Sequence, residues 1–312
     1  MAQREVQHIA DRSSAGRTLT AVLREAAAVS HAIARGIIEA GLVRVRGRVV
    51  RDPAHRLSEG DELLARFDPD LRYRTAARPR GHGFRILLED EHLLVVDKDP
   101  GVLTVPAPSH PDDSLADRLI GMYTSRGVRT PGLWVVHRID RFTSGLVLFG
   151  RTEAAAAALI EQFQSRSAAR EYLALCEGIP GRPSGRLESR LEEDPRSLKV
   201  RVARRAGAGA RAVCSYQIEQ PLDGAALLRV TLETGRRNQI RVQLAEIGHP
   251  ILGDRAYGRV SPLLGRTGLH AARLAFRHPA TQAVIRIESP LPADMRRALR
   301  RLRGRANRVR PS

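Results

Sequence analysis

The 312-residue chain carries 52 Lys and Arg against 34 Asp and Glu, a formal net charge of +18, with 42% hydrophobic and 28% charged residues. This is the composition of a globular protein, and the lack of any apolar run near ~20 residues excludes a membrane-spanning helix. A positive field of this size attracts phosphate polymers, so nucleic acid is the first partner to expect.

Residues 1–16, MAQREVQHIADRSSAG, are polar, lack an apolar stretch with a cleavage site behind it, and read as an extension of a cytoplasmic protein rather than a secretory signal. The chain length favours a large domain with a small module beside it, and the module is expected over 17–68. Thr18 opens a helix running through Glu25. Ser30 opens a second, HAIARGIIEAG, with Ile33, Ile37 and Ile38 on one apolar stripe and Gly41 as its stop. In LVRVRGRVV, Val43 and Val45 alternate with Arg44 and Arg46, and a Gly47-Arg48 turn leads back to Val49 and Val50. The expectation is a hairpin with one basic face. Arg35, Arg44, Arg46, Arg48 and Arg51 then form a candidate phosphate-binding surface, with an ordinary solvated strand face as the alternative reading. Two helices, this hairpin and the close RLSEGDEL resemble the small RNA-binding module named after ribosomal protein S-four.

Residues 69–83 lack periodicity, carry Pro79, Gly81 and Gly83, and read as a linker. The main domain is expected over 84–300. It opens with a hairpin, FRILLEDEHLLVVDKDPG, followed by LWVVHRI and GLVLFG as strands around a polar loop. Thr152 caps an alanine-rich helix reaching about Arg166, with Leu159 and Phe163 on one face. The stretches REYLALCEG, SLKVRVARR, RAVCSYQIEQ and ALLRVTLET read as strands. RRNQIRVQLAEIG reads as a helix ended by Gly248, and GLHAARLAF and AVIRIES as two last strands. Cys176 and Cys214 lie in alternating strand-like stretches without Cys-x-x-Cys spacing, so two buried reduced thiols are expected. Neighbouring runs of strands predict an α+β domain on a mixed sheet. Residues 301–312 read as a basic tail.

The polar loop is the richest stretch. In VVHRIDRFTSGLVLFGRT, Arg138, Asp140, Arg141, Thr143, Ser144 and Gly145 sit between two apolar strands, where a rigid scaffold can aim several polar side chains. Taken alone, the string also fits a salt bridge followed by a turn. It resembles, however, the "H-R-x-D-x-x-T-S-G-L" signature of the RluA-type pseudouridine synthases. DKDPGVLTVP, REYLALCEG, LETGRRNQIRVQL, and GHPILGD with GLHA follow that family's other motifs in order. One departure is Asp99, which stands where the family usually has proline after the lysine.

The resemblance implies a pseudouridine synthase fold with a mainly antiparallel sheet, and an isomerase that needs no metal or other cofactor. It implies Asp140 as nucleophile, Arg241 as its cationic partner by a bidentate bond, and Tyr172 as the group that stacks on uracil and serves acid/base chemistry. Arg138 is implied to fill the gap left by a flipped base, and Thr143, Ser144 and Gly145 to support the loop. His137 reads as structural, and His249 and His270 carry no step of such a reaction. The implied partner is structured RNA, ribosomal RNA of the large subunit ahead of transfer RNA. No membrane partner is expected, and a monomer is. A noncatalytic RNA-binding protein is the main rival. A glycosidase is the second, and would need a paired carboxylate from Asp97, Asp99 or Glu171.

Overall fold

The computed structural model describes residues 4–39, 42–50, 52–67, 82–106, 113–128, 132–194, 199–205 and 207–306. The chain divides into two compact units, one of Met1–Ala77 with Arg259–Arg266, the other of Arg78–Gly258 with Thr267–Ser312.

The first unit runs β1 (Arg4–Ile9), α1 (Leu19–Ala26), α2 (His31–Glu39), β2 (Val43–Val45), β3 (Arg48–Val50) and β4 (Glu62–Phe67). Its strands form an antiparallel sheet in the order β1-β4-β2-β3. Thr18 caps α1 by accepting from the Ala21 N–H, and Ser30 Oγ accepts from the Ile33 N–H at the start of α2. Leu19, Leu23, Ile37, Ile38, Val43 and Leu63 are fully buried between helices and sheet.

Three expectations change here. Strand β1 lies inside the stretch read as an extension, and it pairs with β4 along its whole length. Ile33 is exposed, so the apolar stripe of α2 is carried by Ala34, Ile37 and Ile38. The hairpin turns at Arg46 and Gly47, both at positive φ (48° and 74°), rather than at Gly47 and Arg48. That one-residue slip exchanges faces. Arg44 now lies opposite Val49, and Arg48 opposite Val45, so the arginines do not share one face. Gly41, Arg51, linker residues 69–81 and tail residues 307–312 lie outside the described residues.

The second unit runs β5 (Phe84–Glu89), β6 (Leu93–Lys98), α3 (Leu115–Ser125), β7 (Trp134–Val135), β8 (Ser144–Gly150), α4 (Glu153–Gln164) and β9 (Ala169–Glu177). It continues through β10 (Ser184–Glu193), β11 (Val200–Val202), β12 (Ala210–Leu222), β13 (Ala225–Leu232), α5 (Gln239–Glu246), β14 (Leu269–Arg277), β15 (Val284–Glu288) and α6 (Ala293–Ala306). Eleven strands form one sheet in the order β11-β10-β12-β13-β9-β14-β8-β6-β5, with β15 added to β14 and β7 to β8. Among the described strands only β8 and β14 pair in parallel, so this is the mixed, mainly antiparallel α+β sheet that the strand pattern and the resemblance implied. Among the described residues, no helix is long and apolar enough to cross a membrane.

Every residue of β8 is buried, which is why it reads as a continuous apolar run and not as an alternation. LWVVHRI, read as a strand, yields only the two-residue β7, whose Trp134 and Val135 are part-exposed. Strand β10, SGRLESRLEE, has no β-branched residue and went unread; long pairing with β12 imposes its extended form. Burial pushes the thiols of Cys176 and Cys214 up to about 12, and both are free.

The start of β8 is set by Gly145. Its φ is +110°, and a Cβ there would lie 2.2 Å from the carbonyl oxygen of Ala271, its partner on β14. Gly145→Ala is therefore expected to destabilise the fold by roughly 2–5 kcal/mol, combining left-handed strain with overpacking. Urea unfolding measures it, and an unchanged midpoint would mean that β8 and β14 do not need this close approach.

Candidate active site

The loop between β7 and β8 is held by Lys98 at the end of β6 and by residues that follow it. Lys98 is buried, and its Nζ donates to the backbone carbonyls of Asp99, Val102 and Arg141. Thr104 Oγ1 donates to the Ile139 carbonyl and accepts from the Ile139 N–H. Arg141 Nε and the Gly101 carbonyl form a further bond at 3.0 Å. Asp140 is thus fixed on both flanks. The Asp99 departure is accommodated in the same turn: its backbone N–H donates to the Gly83 carbonyl at 2.9 Å, a bond that proline lacks the hydrogen to make.

Loop support differs in detail from expectation. The Thr143 backbone N–H, not its side chain, bonds the Asp140 carbonyl, and the buried Thr143 hydroxyl has no hydrogen-bond partner among the described residues. Ser144 Oγ lies 3.0 Å from His270 Nδ1, while His270 Nε2 lies 3.0 Å from the Ser289 carbonyl. A ring that donates to that carbonyl accepts from Ser144, so this histidine fastens β8 to its neighbours. His249 bonds the Glu177 carbonyl, and neither ring lines the cavity described below. His137 stacks on Phe163 at 4.8 Å and accepts from the Leu148 N–H. Burial, reinforced by the charge of Arg170, lowers its pKa to about 3, so it stays neutral.

Asp140 and Arg241 meet although 101 residues separate them. Arg241 Nη1 donates to Asp140 Oδ2 at 3.0 Å and to Asn238 Oδ1 at 2.7 Å. The bidentate fork expected to grip Asp140 is directed elsewhere. Arg241 Nε and Nη2 donate to the two oxygens of Asp254, at 2.6 and 2.8 Å. Asp254 is fully buried and also accepts from the Ala256 and Tyr257 N–H groups, and the Tyr257 ring lies 5.0 Å from the guanidinium carbon. Burial opposes the charge on Arg241, but the bonds and charges of Asp254 and Asp140 outweigh it and hold the guanidinium protonated. Asn238 begins α5 in a left-handed conformation, with φ 54°. Its Nδ2 donates to the Tyr257 hydroxyl, so the helix cap and the ring under the guanidinium are tied together. Asp254 and Asn238 were both quoted in the motifs without a role. Their only prior signal was their place in those strings.

Arg138, Asp140, Tyr172 and Arg241 all line one cavity of about 500 Å³. Tyr172 is buried on β9, opposite Val230 and Ala271. Burial raises the pKa of its hydroxyl, and the charge of Asp140 adds to this against the opposing charge of Arg170, so the phenol is held neutral. Arg138 is exposed at the cavity. Asp140 Oδ1 accepts no hydrogen bond from a described residue, leaving one oxygen pinned and one open. Glu233 is the other acidic residue of the lining and is paired with Arg186 at 3.1 Å. Asp97 and Glu171 pair with arginines, and neither they nor Asp99 line the cavity, so none of the carboxylates that the glycosidase reading named is there. In the first unit Arg44 bonds the Gly47 carbonyl, Arg46 is paired with Asp61, Arg48 is exposed and Arg35 half-buried.

A lysine at 241 would keep the charge but could not reach Asp254 and Asp140 together, because its three donors crowd on one atom. Arg241→Lys should lose roughly 100-fold in turnover through misplacement of Asp140. Near-parental turnover would show that the shared guanidinium does not position the loop.

Comparison with known proteins gives the family. Residues 92–246 match the family model for RNA pseudouridylate synthase, and residues 20–63 that for the S4 domain. A "ribosomal large subunit pseudouridine synthase D" from Zymomonas mobilis is 35% identical over 276 residues, which cover 84% of this chain and 86% of the relative. An "uncharacterized RNA pseudouridine synthase YjbO" from Bacillus subtilis is 34% identical over 244 residues, covering 78% and 85%. Human "RNA pseudouridylate synthase domain containing 4" shares the fold with a TM-score of 0.57 at 24% identity, covering 70% of this chain and 92% of that one. The chain belongs to the RluA-type family of RNA pseudouridine synthases, isomerases that carry here an N-terminal S4 domain.

Proposed function

We propose that this synthase isomerises uridine in large-subunit ribosomal RNA, with Asp140 as the nucleophile. The observation that carries the reading is the Arg241–Asp140 pair at 3.0 Å in a cavity that also holds Tyr172. A carboxylate attacks only when ionised, and Arg241, held protonated by Asp254, sets a positive charge 3.0 Å from Asp140 that orients it. Breaking the nitrogen–carbon bond, turning the base and rejoining it at carbon five then need a pocket that keeps hold of uracil. The Tyr172 ring can stack on the base, and its hydroxyl, held neutral, can give a proton and recover it.

A uridine inside a folded RNA must leave the stack to reach a carboxylate that lines a cavity. Arg138, exposed at the mouth, is the side chain we assign to the vacated space. Arg35, Arg44, Arg46, Arg48 and Arg51 are assigned to phosphate contacts by the S4 domain. Arg46 contributes least of these, because Asp61 already neutralises it. The ribosomal target rests on the names of relatives such as the Zymomonas synthase, and transfer RNA is the alternative. The protein acts in the cytoplasm, as a monomer and without a cofactor.

Asp140→Asn keeps the size of the side chain and removes its negative charge. Tritium release from RNA labelled at carbon five of uridine should fall to background, while RNA affinity, which rests mostly on phosphate contacts, should stay within about twofold. Release at the parental rate would exclude Asp140 as the nucleophile. A parent protein that releases no tritium from any cellular RNA fraction would favour a binding role instead.

A further inference from the structure

Among the described residues, four buried side-chain atoms lack a hydrogen-bond partner, and three of them belong to residues lining the active-site cavity: Thr143 Oγ1, Arg170 Nε and Gln239 Nε2. Buried polar groups are ordinarily satisfied, so three exceptions around one cavity point to partners that a ligand brings. Gln239 is oriented for this, since its Oε1 accepts from the Thr234 hydroxyl and the Arg236 N–H, leaving the amide hydrogens as the unused donors. The charged member of the three carries the argument furthest.

Arg170 lies on β9 two residues before Tyr172, a spacing that puts both side chains on one face of the strand. Its guanidinium carbon lies 5.0 Å from the centre of the Phe163 ring. On the other side it reaches Gly235, where an added Cβ would sit 2.5 Å from Nη1. The glycine leaves room for the arginine. Arg170 makes no hydrogen bond or ion pair with any described residue, and the carboxylates around it are engaged. Glu171 is bound by Arg229 at 2.8 Å and Arg273 at 3.3 Å, and Glu233 by Arg186. Burial lowers the affinity of Arg170 for its proton, the opposite of the net effect at Arg241, which has two carboxylates.

A desolvated guanidinium without an anion is costly, and the cost is relieved when a ligand supplies the counter-charge. RNA supplies a phosphodiester, whose two free oxygens match the guanidinium fork. Resting on the reaction assigned to Asp140, we propose that Arg170 is a phosphate-binding residue that takes a phosphodiester next to the flipped uridine. Strand β9 then holds the nucleotide at two points, the backbone through Arg170 and the base through Tyr172.

The test begins by locating a modified uridine in cellular RNA with carbodiimide primer extension. Short RNAs spanning it are then made with one methylphosphonate at a time, which removes a single negative charge. With the parent protein, one position beside the target should lower kcat/KM by roughly 10- to 100-fold, the scale of one charge-assisted contact. Arg170→Gln should lose a similar factor on unsubstituted RNA and become insensitive at that one position, while keeping the parent's sensitivity elsewhere. Gly235→Ala, whose methyl displaces the guanidinium tip without removing its charge, should show the same selective insensitivity, and it asks the same question if Arg170→Gln does not fold. Full parental sensitivity at every position in either folded variant would overturn the assignment. A parent protein that modifies no uridine would overturn the reaction itself, and this assignment with it.

Discussion

One guanidinium shared between two carboxylates sets the architecture of this site. Asp254 is completely buried, and a buried carboxylate without a cation costs several kcal/mol. Arg241 meets that need with its fork and has Nη1 left over for Asp140. The stronger geometry goes to the residue that has no step in the proposed reaction. That division suits the proposal, because a nucleophile gripped through both oxygens would have neither free to attack. Asp254 anchors the cation, and the cation in turn aims one oxygen of Asp140.

The rest of the second unit serves the same alignment. The parallel β8–β14 pair and the close approach at Gly145 fix where the loop enters the sheet. Lys98 and Thr104 fix its other flank through backbone carbonyls, which hold the loop by its main chain and leave the side chain of Asp140 to face the cavity. Tyr172 comes from the neighbouring antiparallel strand β9, and Arg241 from the first turn of α5. The cavity is therefore assembled from a loop, a strand and a helix start that the sheet holds at fixed separations. Arg170, a half-buried arginine whose Nε lacks a partner among the described residues, lies on that same strand.

The loop that carries Asp140 was legible in the sequence because its polar residues are contiguous and bounded by apolar strands. Arg241 was legible only through the ordered resemblance, since no local periodicity links residues 101 positions apart. Asp254 was quoted in GHPILGD but given no part, because an aspartate after glycine reads equally well as a turn. Among the strands missed were β1, hidden in a polar stretch, and β10, whose glutamates and arginines carry little strand propensity; in both, pairing partners decided the conformation. The hairpin of the first unit was found but misregistered. Its left-handed Arg46 is an uncommon turn residue, and the glycine beside it drew the turn one position too late.

The shared-guanidinium account is tested most directly at Asp254, which touches no substrate in it. Asp254→Asn keeps the side chain's volume while removing the charge that holds Arg241, and single-turnover tritium release with saturating RNA isolates the chemical step. The account predicts a fall of roughly 10- to 100-fold in that rate through misplacement of Asp140, with RNA affinity unchanged. A folded Asp254→Asn variant that turns over at the parental rate would contradict it.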